Sequence, residues 1–299
     1  MITVMGATGN IGSKITALLA KKNEPVRVIS RSADHLRPLV GKTVKAFVGD
    51  AGKTEFLVKA FTGVDALFAL IPPNPTAPDF MRYADTIGES IARAIETAKV
   101  KYVVYLSSIG AELSGEGTGP IKGLHKMEER LNRIEGLNVL RLRAAYFMEN
   151  LLWNIDLIRS KGIAGSAVRG DLKIPMIATR DIAEYAAERL VKRDFTGSSV
   201  HYLLGQRDLS LTEAAGIIGS RISKPDLPYI TFPYEEAEKA MVGMGLSPDM
   251  SRTYVEMARA FNEGTIKAER RTEENTTPTS IESFCDEVFV PAFTQKKAA

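Results

Sequence analysis

Residues 1–12, MITVMGATGNIG, place Gly6, Gly9 and Gly12 at a spacing of three behind a short apolar run. Glycine inside a regular element costs roughly 0.5–1 kcal/mol relative to alanine, so three within seven residues imply a backbone that must come close to something. Ile2–Val4 and Met5 read as one buried strand of a parallel sheet. After Gly12, Ile15, Leu18 and Leu19 recur at helical spacing, and Lys21 and Lys22 fall in the last turn, where cations suit the helix dipole. The glycines therefore occupy a strand-to-helix turn, which aims free amides and the positive dipole end outward and makes an anion site. A tight turn without a ligand is the bland reading. A second strand, PVRVIS at 25–30, arrives where a dinucleotide-binding unit requires it. In such a unit Gly6 makes the tight turn, Gly9 admits the pyrophosphate, and Gly12 lets helix and strand pack.

Working outward, strands are expected at 26–30, 43–49, 65–71, 102–108 and 138–143. Helices are expected between them at about 32–39, 54–61, 79–98 and 121–134. This alternation implies an α/β Rossmann fold, a doubly wound parallel sheet with ligands outside the carboxyl ends of its strands. Residues 1–150 form the expected nucleotide-binding domain, with 174–205 completing the sheet. Segments 151–173 and 206–299 form a smaller, mostly helical substrate-binding lobe. Residues 146–160 read as a helix, which sets Tyr146 and Asn150 on one face towards the substrate cleft. Trp153 is expected in the core.

The chain has 299 residues, 44% hydrophobic and 25% charged, with net charge +3, an ordinary globular composition that argues against nucleic acid as a main partner. A single cysteine, Cys285, excludes an internal disulfide framework and reads as a small buried hydrophobe. No apolar run reaches the ~18–20 residues of a membrane span. A soluble, cytoplasmic protein is expected, with no metal.

The residue ending the second strand discriminates between coenzymes: a carboxylate there binds a ribose 2′-hydroxyl, a basic group its phosphate. Here it is Arg31, which favours NADP(H) over NAD(H); the alternative is a solvated surface arginine. Asp50, closing the third strand, is placed to accept from the adenine amino group or to cap a turn.

GATGNIG, ISR after the second strand, VGD after the third, YLSSIGA on the fifth, GTGPIKGLHKMEERL and RAAYFMENLL together resemble the NmrA-like family of atypical short-chain dehydrogenases/reductases. The resemblance runs from residue 1 to about 204. It implies a coenzyme site of Gly6, Thr8, Gly9, Asn10, Ile11, Gly12, Arg31, Asp50, Ile71, Pro72 and Ser107. Catalytic dehydrogenases of the wider superfamily carry Tyr-x-x-x-Lys on the helix after the fifth strand; here those positions hold Ile121 and His125.

Isoleucine donates no proton, and reduction of a simple ketone needs a positioned acid. A quinone or dye is different, because hydride addition gives a delocalised anion or a neutral product, and proximity and orientation suffice. Resemblance to quinone and dye reductases thus implies a small-molecule acceptor such as a quinone. Resemblance to coenzyme-sensing regulators implies instead a non-catalytic role with a regulatory protein partner. His125 is the candidate catalytic group, through the nicotinamide ribose or a proton near neutral pH, or else a structural histidine. The glycine-rich loop 114–123 reads as a lid or a flexible surface loop.

Overall fold

The computed structural model describes residues 1–114 and 117–295. Gly115, within the expected lid, and the terminal KKAA lie outside them.

The first half alternates as the hydrophobic pattern requires: β1 (Ile2–Val4), α1 (Gly12–Lys21), β2 (Val26–Ser30), α2 (Ala33–Leu36), β3 (Val44–Val48), α3 (Thr54–Phe61), β4 (Ala66–Ala69), α4 (Phe80–Ala98), β5 (Tyr102–Ser108), α5 (Ile121–Asn132) and β6 (Asn138–Ala144). The expected helix at 32–39 is divided, α2 passing into a 3-10 turn over Arg37–Leu39 where Pro38 removes a backbone donor. Ser32 caps α2 and Asp79 caps α4, each side chain accepting a first-turn amide.

Then follow β7 (Tyr146–Phe147), a 3-10 helix (Met148–Asn154), α6 (Ile155–Lys161), β8 (Ala164–Ser166), β9 (Ile174–Ile177), α7 (Thr179–Lys192), β10 (Ser198–Leu203), β11 (Asp208–Leu209), α8 (Leu211–Arg221), β12 (Tyr229–Thr231), α9 (Tyr234–Gly243), α10 (Pro248–Asn262) and α11 (Ile281–Phe284).

Seven strands form one sheet in the order β10-β6-β5-β4-β1-β2-β3, every pairing parallel. This is a Rossmann-like sheet whose strand order reverses between β1 and β4. Side chains alternate across it. Ile2, Val4, Val28, Val104 and Leu142 share a core with α1 and α7, whereas Met5, Leu67, Val103, Tyr105 and Val139 share one with α3, α4 and α5.

Of the stretch expected to complete the sheet, only β10 joins it, beside β6. β9 instead pairs with β7 and β11 in a separate three-stranded sheet. The lobe has its own core, where Met148, Leu151 and Ile158 meet Ile218, Phe284 and Phe289. Cys285 is fully buried in it, and that burial pushes its thiol up to about 12, so it is inert at neutral pH.

The loop from β4 to α4 is fastened to the α9–α10 junction. Ser247 donates its amide to Pro75 O (2.9 Å) and its hydroxyl to Ala77 O (2.5 Å), and Asp249 accepts the Phe80 amide at 2.8 Å.

Candidate functional site

The site is built at the strand-order reversal. Gly6 has φ +62°, a left-handed conformation that favours glycine, and lies against Leu70 beyond β4. A Cβ on Gly12 would stand 2.2 Å from Gly6 O and 2.9 Å from Ala7 Cα, so only glycine lets α1 start this close to β1. Gly9 donates its amide to Gly6 O at 2.9 Å, closing the turn. No side chain caps α1. Among the described residues the amides of Asn10, Ile11 and Gly12 meet no acceptor of the chain. Thr8, Gly9 and Asn10 are exposed and Ile11 is buried. Three open amides at a helix start form a cradle that fits a pyrophosphate.

Arg31 follows β2 immediately, exposed, with no ion pair among the described residues. Asp50 accepts the Gly52 amide on Oδ1 at 2.9 Å, so one of its oxygens holds the turn after β3 and the other is free of the chain. Ile71 and Pro72 leave β4 half-buried. Tyr83 of α4 donates to Pro72 O at 2.9 Å, and burial raises its hydroxyl while the nearby Arg31 charge pulls it back. The structure thus brings Tyr83, absent from the expected set, beside Arg31, Asp50 and Pro72.

The side chain of Ser107, a residue expected at the coenzyme, is turned towards α5. It lies on the α5 side of β5, 3% exposed, and donates to Glu128 Oε1 at 2.6 Å. Glu128 also accepts from Arg143 Nη2 (2.7 Å) and Nε (3.1 Å), and Arg143 reaches the Tyr202 hydroxyl at 2.8 Å. Arg141 and Arg143 share one face of β6; Glu128 pairs with both, and Glu112 pairs with Arg143 at 3.2 Å. The Ser107 hydroxyl is thus held in that buried network.

Ile121 is buried, 3% exposed, in one core with Ile109 and Ile266. His125, one turn on, brings Nδ1 within 2.8 Å of Ala111 O, which fixes Nδ1 as the donor. Its Nε2 lies 3.8 Å from Glu129 Oε1. Gly119, at φ +59°, is pressed against Thr253 O of α10, and Gly123 packs α5 against Ala84. These two glycines serve packing, so that end of the glycine-rich loop is fixed.

Tyr146 and Asn150 do not share a helix face. Tyr146 lies in β7, registered against Met176, and Asn150 is in the 3-10 helix, exposed. Burial raises the Tyr146 hydroxyl, and its ring packs towards the lobe core. Trp153 is not core: it is 54% exposed, edge-on to Tyr254 of α10 at 6.2 Å. Below this segment Glu149 accepts the Thr179 amide at 3.1 Å as well as its hydroxyl, and Lys14 Nζ donates to Asn10 O (2.8 Å) and Thr179 Oγ1 (3.3 Å).

The family model described as NmrA-like matches residues 1–286. The chain belongs to the NmrA-like family. It is 29% identical over 253 residues, 84% of each chain, to the NAD(P)H azoreductase of Xenophilus azovorans. Its fold is similar to that of an NADPH-dependent quinone oxidoreductase from Escherichia coli solved with NADPH (TM-score 0.81, 21% identity, 97% of this chain and 100% of that one). It is also similar to Citrobacter sp. triphenylmethane reductase solved with NADP(H) (TM-score 0.80, 20% identity, 96% and 99%).

Several residues that shape this region were not singled out from sequence: Tyr83 beside Pro72, the Lys14–Thr179–Glu149 contacts, and the buried pair Glu128–Arg143. The last carries a readable signal, since two arginines at period two on a sheet strand demand a buried carboxylate. No helix among the described residues is long and apolar enough to cross a membrane.

Proposed function

We propose that this chain is an NAD(P)H-dependent reductase, with NADPH preferred, that delivers hydride to a flat conjugated acceptor of the quinone or dye type. The observation that carries the reading is the cradle of open amides at Asn10–Gly12, forced by Gly12 against Gly6 O. The azoreductase, quinone reductase and dye reductase it is similar to support the same reaction class.

Gly6, Thr8, Gly9, Asn10, Ile11 and Gly12 would hold the pyrophosphate, and Arg31 a 2′-phosphate by charge-assisted hydrogen bonds. Tyr83 and the free oxygen of Asp50 would flank the adenine end, and Ile71 and Pro72 the opposite wall. Bound NADPH supplies a hydride, two electrons with one proton, and a second proton from water completes a hydroquinone.

Ile121 offers no proton and the His125 Nδ1–H is taken by Ala111 O, so neither position of the superfamily's Tyr-x-x-x-Lys pair supplies the acid that reduction of a simple ketone needs. Orientation of the reactants is sufficient where the acceptor delocalises the incoming charge. A small-molecule acceptor is the expected partner.

The test is consumption of NADPH and of NADH by the purified protein against quinones, azo dyes, triphenylmethane dyes and simple ketones. Turnover of a conjugated acceptor but not of a ketone is expected. Saturable coenzyme uptake with no acceptor consumed would refute the reading in favour of a coenzyme-sensing regulator.

A further inference from the structure

Trp153 and Tyr254 meet edge to face beyond the carboxyl ends of β4 and β6. Trp153 lies in the 3-10 helix that follows β6 and β7, and Tyr254 lies in α10. Tyr254 packs into one apolar cluster with Ile71, Phe80 and Met250, so it adjoins the segment leaving β4. Of the exposed large apolar side chains, Trp153 is the one paired with another aromatic ring. The rings meet at 70°, edge to face, which leaves a broad ring face open to stack on a further flat group. In 3-10 geometry residues three apart eclipse, so Asn150 lies on the same exposed side as Trp153.

Tyr254 is half-buried, yet its hydroxyl has no hydrogen-bond partner in the chain's described residues. Burial alone raises its pKa, so at neutral pH it is a protonated donor that no acceptor of the described residues occupies and that an incoming group can reach. A hydrocarbon surface would not satisfy it; a carbonyl oxygen would.

We infer that Trp153 and Tyr254 form the acceptor seat: a planar, carbonyl-bearing aromatic such as a quinone stacks on the Trp153 indole and accepts a hydrogen bond from the Tyr254 hydroxyl. This rests on the reductase reading and names the residues that select its substrate. Flatness is selected by the indole, and the carbonyl by the phenol.

The chain contains one tryptophan, so its emission reports Trp153 alone. With NADP+ present to prevent turnover, a naphthoquinone is titrated while emission amplitude and lifetime are recorded. Saturable loss of amplitude at constant lifetime is expected, with half-saturation moved several-fold higher in Tyr254→Phe. In turnover, Trp153→Ala raises the quinone KM by about ten-fold, while the dissociation constant of NADPH, read from the coenzyme's own emission, stays unchanged. Amplitude and lifetime falling together without saturation would overturn the seat, as would an unchanged quinone KM in Trp153→Ala. Failure of the reductase reading is separate: NADPH would not be consumed, and the emission titration would still decide whether the seat binds a quinone.

Discussion

Replacing Arg31 by alanine isolates the electrostatics of coenzyme choice. Arg31 is exposed and engages no carboxylate of the chain, so no native ion pair is broken and the fold loses little, within about 0.5 kcal/mol. A hydrogen bond to a charged group contributes about 1.5–3 kcal/mol, and each 1.4 kcal/mol is about ten-fold in affinity. The dissociation constant of NADPH should therefore rise about ten- to a hundred-fold, towards the lower end because the side chain is solvated. That of NADH should not move. Arg31→Lys keeps the charge but loses the planar fork and should fall between. The assay is titration of both coenzymes by nicotinamide emission, at low and at raised salt. Since the Debye length is about 10 Å at 0.1 M, the wild-type advantage for NADPH should shrink as salt rises. An unchanged NADPH affinity would refute the argument, and so would a parallel loss of NADH.

Gly12→Ala forces a methyl to 2.2 Å from Gly6 O; uptake of both coenzymes should fall at least ten-fold, with a lower thermal midpoint, whereas Gly9→Ala, whose Cβ stands 3.4 Å from the same oxygen, should be milder in stability. Glu128→Ala takes the buried carboxylate from Arg143 but leaves Glu112 at 3.2 Å, so it should cost about 3 kcal/mol in chemical denaturation, the low end for a broken buried pair, with Glu128→Gln less severe. Asp85 ties α4 to Lys126 and Arg130 of α5 at 2.8 Å each; burial pushes its carboxyl up, but the two cationic hydrogen bonds outweigh this and hold it below the usual range. A depressed carboxyl contributes stability above its unfolded value of 3.8 and loses it as pH falls through the lower folded value. Asp85→Asn should therefore cost up to about 1 kcal/mol at neutral pH, a deficit that closes as the medium is acidified.

The first half of the fold was legible because its strands are rich in apolar and β-branched residues and its helices carry a clear stripe. β2, α3 and β5 fall on the expected residues, and β3 within one at each end. The glycine cradle was legible for a related reason: a Cβ at Gly12 is forbidden by local backbone alone. Reading failed where distant residues decide. Residues 146–160 have helical spacing, but Tyr146–Phe147 pairs with Met176–Ile177, and the residues after it wind as 3-10. Trp153 was assigned to the core on hydrophobicity, whereas its exposure depends on α10, about a hundred residues later. Ser107 has the chemistry of a site residue; strand parity turned it towards Glu128, on the next helix. Tyr83 gives no local sign, since its value comes from Pro72, Arg31 and Asp50 converging at the sheet edge.

Glu149 and Lys14 meet at Thr179, so the start of α7 acts as a rivet between the glycine turn and the segment beneath Asn150 and Trp153. Floor and cradle are thereby made one stiff chassis. α10 sits outside this rivet, yet Ser247 and Asp249 clamp it to the segment that follows Ile71 and Pro72, so a redesign of acceptor taste at Tyr254 must leave those two anchors in place.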